Sequence, residues 1–198
     1  MLAAEEIQQY LSGAWRLMLG KPDGLRLLDL TADGFWNSFF AILIAAPALI
    51  VGWVGVSEDL TLQSAVAGSR FGIVLRLAVV EIGAWILPLI AFALVARRVG
   101  IGDRFVHYVV ASNWTSAIIA WVMLPAALAH MLLPGAQSFS TLLSLVLFML
   151  TMVFSWRMTN AAIGKGAAVG TAVFAGMFVT SLIVLFALQS LFGIYAPG

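Results

Sequence analysis

The sequence predicts an all-α integral membrane bundle of five transmembrane helices, and three observations predict it. The 198 residues are 63% hydrophobic and only 10% charged, against roughly 25% charged in ordinary soluble domains. The apolar residues gather in five runs, each near or above the roughly 20 residues that cross a bilayer. The Lys and Arg residues cluster in the short connections between those runs. With a mean hydropathy of +1.06, a chain of this size cannot hide its apolar surface in a soluble core. Residues 1–34 read as an N-terminal segment and residues 35–198 as the transmembrane domain.

The chain opens on MLAAEEIQQY. It is acidic and has no basic leader, so a cleavable signal peptide is not expected. Residues 4–19 fit an amphipathic helix. Ile7, Leu11, Ala14, Trp15 and Met18 share one face, with Glu5, Gln9, Ser12 and Arg16 opposite. Such a helix lies either in the membrane interface or docked on the bundle itself. Gly20 to Gly24 reads as a turn and Leu25 to Leu30 as a second short apolar helix, with Thr31 or Asp33 capping the next helix.

The spans are expected at about Phe35–Val56, Phe71–Val95, Phe105–His130, Phe139–Trp156 and Ala167–Phe192. Pro47, Pro88 and Pro125 interrupt the first three, and the fourth is the shortest. Arg16, Lys21, Arg26, Arg97, Arg98, Arg104, Arg157 and Lys165 all fall on one side of this alternating arrangement, with Arg70 alone on the other. Basic connections stay in the cytoplasm. The N-terminus is therefore expected to be cytoplasmic and the C-terminus outside, in a bacterial inner membrane. Trp36, Trp53, Trp156 and Tyr195 fall near span ends, as an aromatic belt would place them.

Several functions find no support. The chain has no cysteine, so it offers no disulfide, thiolate metal site or cysteine nucleophile. H-E-x-x-H and G-x-S-x-G are absent. Gly164-Lys165-Gly166 lacks the spacing of a phosphate-binding loop. His107 and His130 lie about 34 Å apart along one helix, so they cannot share a metal or haem within the chain. The net charge of +1 shows no basic patch for nucleic acid. No catalytic residue, metal or cofactor is expected.

The candidate site is Glu81. The second run, FGIVLRLAVVEIGAWILPLIAFALV, places it roughly 15 Å from Phe71, near the midplane. A charge there costs a few kcal/mol, which makes it a functional candidate. Trp85 and Pro88 come after it on the same helical face, and Pro88 frees the carbonyl of Ala84. Arg76 lies on a different face and can snorkel outward. Asn113, at comparable depth on the third span, is the expected hydrogen-bond partner of Glu81. A second candidate is a ridge of small residues, Gly166-x-x-x-Gly170 then Ala172-x-x-x-Gly176, suited to close helix packing.

The segment GAWRLMLGKPDGLRLLDLTADGFWNSF (Gly13–Phe39), leading into five spans, resembles the layout of the Yip1-like family of five-span membrane proteins. The resemblance implies a non-catalytic role in membrane organisation and transfers no site residue. The expected function is an accessory, assembly or membrane-organising subunit. It would act through helix packing on a membrane partner or a second copy of itself. The alternative is a small proton- or cation-coupled transporter or channel using Glu81.

Overall fold

A computed structural model describes residues 2–62, 68–133 and 135–194. Among them are seven α-helices and no strand: α1 (Ala4–Met18), α2 (Ala32–Asn37), α3 (Ala41–Leu62), α4 (Arg70–Ala96), α5 (Phe105–Leu132), α6 (Gln137–Ile163) and α7 (Ala167–Leu191). A 3-10 turn over Ser38–Phe40 carries α2 into α3. Five segments are long and apolar enough to cross a membrane: Ala32–Leu62, Arg70–Ala96, Gly102–Leu132, Gln137–Ile163 and Ala167–Leu191.

The fourth span is longer than expected, because α6 continues past Trp156 to Ile163. Thr159 Oγ1 and Asn160 Nδ2 donate to carbonyls one turn back, Ser155 and Trp156, at 2.8 and 2.9 Å. Polar side chains satisfied within their own helix do not end it. Gly164 does, in the left-handed conformation at φ 61°.

The order of packing does not match the order of the chain. α3 and α5 lie side by side and run in the same direction, as three hydrogen bonds establish. Asn113 Nδ2 donates to Ser38 Oγ (2.8 Å), Trp121 Nε1 to the Ile44 carbonyl (2.9 Å), and His130 Nε2 pairs with Asp59 Oδ2 (2.7 Å). Their separations of 75, 77 and 71 residues stay nearly constant over about 25 Å of helix. α5 then packs on α6, α6 on α7, α7 on α4, and α4 back on α3. The five spans close a ring. α4 reaches across to α5 where Phe92 meets Tyr108 and Phe105, ring centroids 4.8 and 5.7 Å apart.

One end of the ring is basic. There Lys165 Nζ donates to the Gly100 carbonyl and to Asp103 Oδ1, both at 2.6 Å. It ties the α6–α7 turn to the α4–α5 connection. At the other end Arg70 pairs with Glu58 at 2.8 Å. Buried apolar side chains form a large cluster that includes Leu17, Leu89, Val110 and Trp114, and a smaller one around Ile73 and Val80.

Helix α1 docks on the flank of α5 and α6, with Tyr10 against Trp114 and Trp15 edge-on to Phe154. Its buried face is Tyr10, Gly13, Ala14, Leu17 and Met18, not the stripe expected from the sequence. Ala14 and Met18 belong to both, but Trp15 is 43% exposed. The cause is Gly13. The 3-10 turn over Pro22–Leu27 lies on the helix there, and a Cβ at Gly13 would stand 2.8 Å from the Gly24 carbonyl oxygen. A Cβ at Gly24 would in turn overlap the Gly13 carbonyl. Gln9 Nε2 donates to the Leu27 carbonyl at 3.0 Å, and Arg16 pairs with Asp23. The hydrogen bond from Arg16 holds the Asp23 carboxyl below the ordinary carboxylate range. A carboxyl depressed in this way stabilises the turn at neutral pH, and the contribution is lost as acid protonates it. Thr31, not Asp33, caps α2, accepting from the Gly34 amide at 3.1 Å.

Candidate functional site

The ring borders a partly open cavity of about 600 Å³ whose wall takes residues from all five spans. On α4 the lining residues are Glu81, Ala84, Trp85, Pro88 and Leu89, a spacing of i, i+3, i+4, i+7 and i+8 that defines one helical face. On α5 they run from Tyr108 through Ser112, Ser116 and Met123 to Ala127, again one face, about 28 Å long. α3 contributes Gly52 and Trp53, α6 contributes Met152, and α7 contributes Phe178 and Ser181 among others.

Glu81 is half-buried on this wall and makes no hydrogen bond or ion pair with a described residue. Asn113 is not its partner. Asn113 is fully buried, accepts from Trp85 Nε1 at 2.9 Å and donates to Ser38 Oγ at 2.8 Å, and Ser38 donates to the Phe35 carbonyl at 2.7 Å. Trp85 lies one turn from Glu81 and reaches Asn113 because the indole extends farther across the ring than a carboxyl does. The polar bridge between α4 and α5 is therefore indole to amide, and the carboxylate stays on the cavity wall.

Arg76 does not neutralise Glu81 either. A Cβ built at Gly68 would lie 3.8 Å from Arg76 Nη2. The guanidinium thus reaches toward the far end of α4, as a snorkelling side chain does. The cavity wall includes no Lys, Arg or His among the described residues. Pro88 has no N–H to give the Ala84 carbonyl, and Ala84 also lines the cavity. The wall brings together the Glu81 carboxyl, three serines (Ser112, Ser116 and Ser181), aromatic side chains and methionines.

Trp53, expected in an aromatic belt, lines the cavity instead, with its indole N–H buried and without a partner among the described residues. Trp36 is 69% exposed, as a belt residue would be. Trp156 is partly exposed and donates to Thr171 Oγ1 at 2.9 Å. Tyr195 lies outside the described residues. The two histidines stand at opposite ends of α5. His130 pairs with Asp59, and His107 has a buried Nδ1 with no partner among the described residues.

The small-residue ridge of α7 divides into three roles. Gly166 caps the helix at φ 91° with open space around it. Gly170 is buried against Asn160 of α6, where an added Cβ would overlap the amide oxygen. Gly176 is exposed beside an apolar groove of about 530 Å³ between α4 and α7. Only Gly170 makes a close helix contact among the described residues, and it makes it within the bundle.

Sequence reasoning missed Ser38, Trp53, Ser112 and Ser181 as parts of the site. One signal was present: Tyr108, Ser112 and Ser116 recur every four residues, a polar stripe along one face of the third span. Fold and site together define a helical protein with five membrane-length helices around a carboxyl-bearing cavity. Comparison with protein-family models, curated proteins and solved structures finds no match to this chain.

Proposed function

We propose that this chain is a small membrane carrier or channel, not an enzyme, that moves protons or another cation through its central cavity, with Glu81 as the coupling carboxylate. The setting is a bacterial inner membrane, with the basic end of the ring facing the cytoplasm. One observation carries the reading: Glu81 stands on a wall shared by all five spans and has no bonding partner among the described residues. A buried polar group that serves packing is hydrogen-bonded to its partner, as Asn113 is to Trp85 and Ser38. Glu81 is left available to a passing ion.

The test is flux. Purified protein in liposomes is expected to dissipate an imposed proton or cation gradient, read by an entrapped pH dye or by tracer uptake. Glu81→Gln should reduce the rate to that of protein-free vesicles while helical circular dichroism and elution volume stay unchanged. Equal flux from the Glu81→Gln protein overturns the reading.

The α4–α7 groove favours a second reading. Its walls are apolar, with Ala172 and Gly176 facing Phe92 and Val95, and small residues let another helix approach closely. A helix from a second copy or a membrane partner seated there gives the accessory or organising role that the Yip1-like layout implies. Gly176→Leu would then lower the yield of cross-linked oligomer or complex in native membranes. An unchanged yield removes this reading.

A further inference from the structure

We infer that the ligand of the central cavity is a hydrophobic organic cation, an amine or quaternary ammonium with an apolar body, its charge held against Glu81. The inference rests on the transport reading above and specifies its substrate class.

Size comes first. A volume of about 600 Å³ falls within the roughly 300–1,000 Å³ of small-molecule sites. A bare metal ion occupies far less and needs about six oxygen ligands at close range. Among the described residues no group of three or more His, Cys, Asp or Glu side chains could hold one.

Charge comes second. The wall carries one carboxyl and no basic side chain among the described residues. An anion would meet no counter-charge there. An ammonium meets the Glu81 carboxyl, to which an N–H of a protonated amine can donate.

The walls come third. Trp53, Trp85, Tyr108 and Phe178 line the cavity, and aromatic faces attract organic cations. Met123, Met152 and Met177 line it as well. Methionine is flexible and polarisable, so such a wall accommodates apolar bodies of varied shape. Trp85 is fixed by its bond to Asn113, whereas the buried Trp53 indole N–H has no partner among the described residues and is left to a ligand.

The experiment compares benzyltrimethylammonium with its neutral isostere, neopentylbenzene, on the full chain in mild detergent. Calorimetry and tryptophan fluorescence read the binding. The cation is expected to bind saturably and at least about tenfold tighter than the isostere, equivalent to about 1.4 kcal/mol. Glu81→Gln should erase that preference, Glu81→Asp should keep part of it, and Trp53→Leu should weaken the cation about threefold. If Glu81→Gln fails to fold, the Glu81→Asp and Trp53→Leu results decide. Unchanged affinity in both overturns the proposal. So does equal binding of cation and isostere, a cation preference that survives Glu81→Gln, or no binding at all. Glu81-dependent proton flux without cation binding would refute the substrate class alone. Loss of both would refute the transport reading as well.

Discussion

Adding a single methyl group at Gly170 is expected to lower the thermal unfolding midpoint of the purified protein by several degrees. The effect arises from how α7 leaves α6. Gly164, Lys165 and Gly166 make a tight turn in which both glycines adopt positive φ. The two helices then run back to back, with Gly170 directly on Asn160. A Cβ at Gly170 would overlap Asn160 Oδ1 and stand 2.7 Å from Cγ and 2.8 Å from Cα. The Cα belongs to the backbone, so no rotamer change relieves the clash and the helices must separate. Separation also strains the bond from Trp156 to Thr171. Overpacking costs about 1–3 kcal/mol and a lost hydrogen bond about 1 kcal/mol, so Gly170→Ala is expected to destabilise by about 2–4 kcal/mol. Gly176→Ala is the control. Nothing lies within 4 Å of the added carbon there, and its unfolding should match wild type. Equal midpoints for the two variants would show that α6 and α7 do not pack as described.

The second large effect is expected at Asn113. Asn113→Leu keeps the branching and the four heavy atoms of the side chain, at a larger volume, but strips the indole N–H of Trp85 of its acceptor and Ser38 Oγ of its donor. Ser38 still donates to the Phe35 carbonyl, so the indole is the group left orphaned. An unsatisfied buried donor costs about 1–3 kcal/mol, and the α4–α5 bridge is lost with it. Asn113→Leu is expected to destabilise by about 2–3 kcal/mol. Trp85→Phe should reduce that penalty, because it removes the orphan. A double-mutant cycle on unfolding in detergent measures the coupling, expected near 1 kcal/mol. Zero coupling would mean that the indole–amide bond contributes nothing. The same variants separate structure from function. Asn113→Leu acts on stability, whereas Glu81→Gln acts on flux and leaves the helices packed, since Glu81 bonds to no described residue.

The candidate site was partly legible. Glu81, Trp85 and Pro88 share a face by spacing alone, and that face turns out to be a cavity wall. The pairing of Glu81 with Asn113 was a plausible match of depth and chemistry, and it was wrong. Depth along a helix can be read from residue number, but which of two groups one turn apart reaches across a ring depends on side-chain length and on the helix opposite. The docking of α1 failed similarly. Its amphipathic pattern was visible, yet the buried stripe turned toward Gly13, because the partner at that point is a turn folded back from residues 22–27. No periodicity within α1 carries that information.

The sequence by itself determined the helices and where most of them end. Bilayer thickness sets a minimum apolar length, and the charged and glycine-rich connections mark the limits. It did not determine which face of each span turns inward. In a soluble protein the inward face is apolar and the outward face polar. Here both are apolar, since lipid resembles a protein core, and the pattern loses its contrast. Only the tertiary structure decided that α3 neighbours α5 rather than α6 or α7, that the five spans close a ring, and that the ring leaves a cavity with Glu81 on its wall. Polar bonds that cross between elements, Trp85 to Asn113 and Asn113 to Ser38 foremost, and the close contact at Gly170 accompany that order.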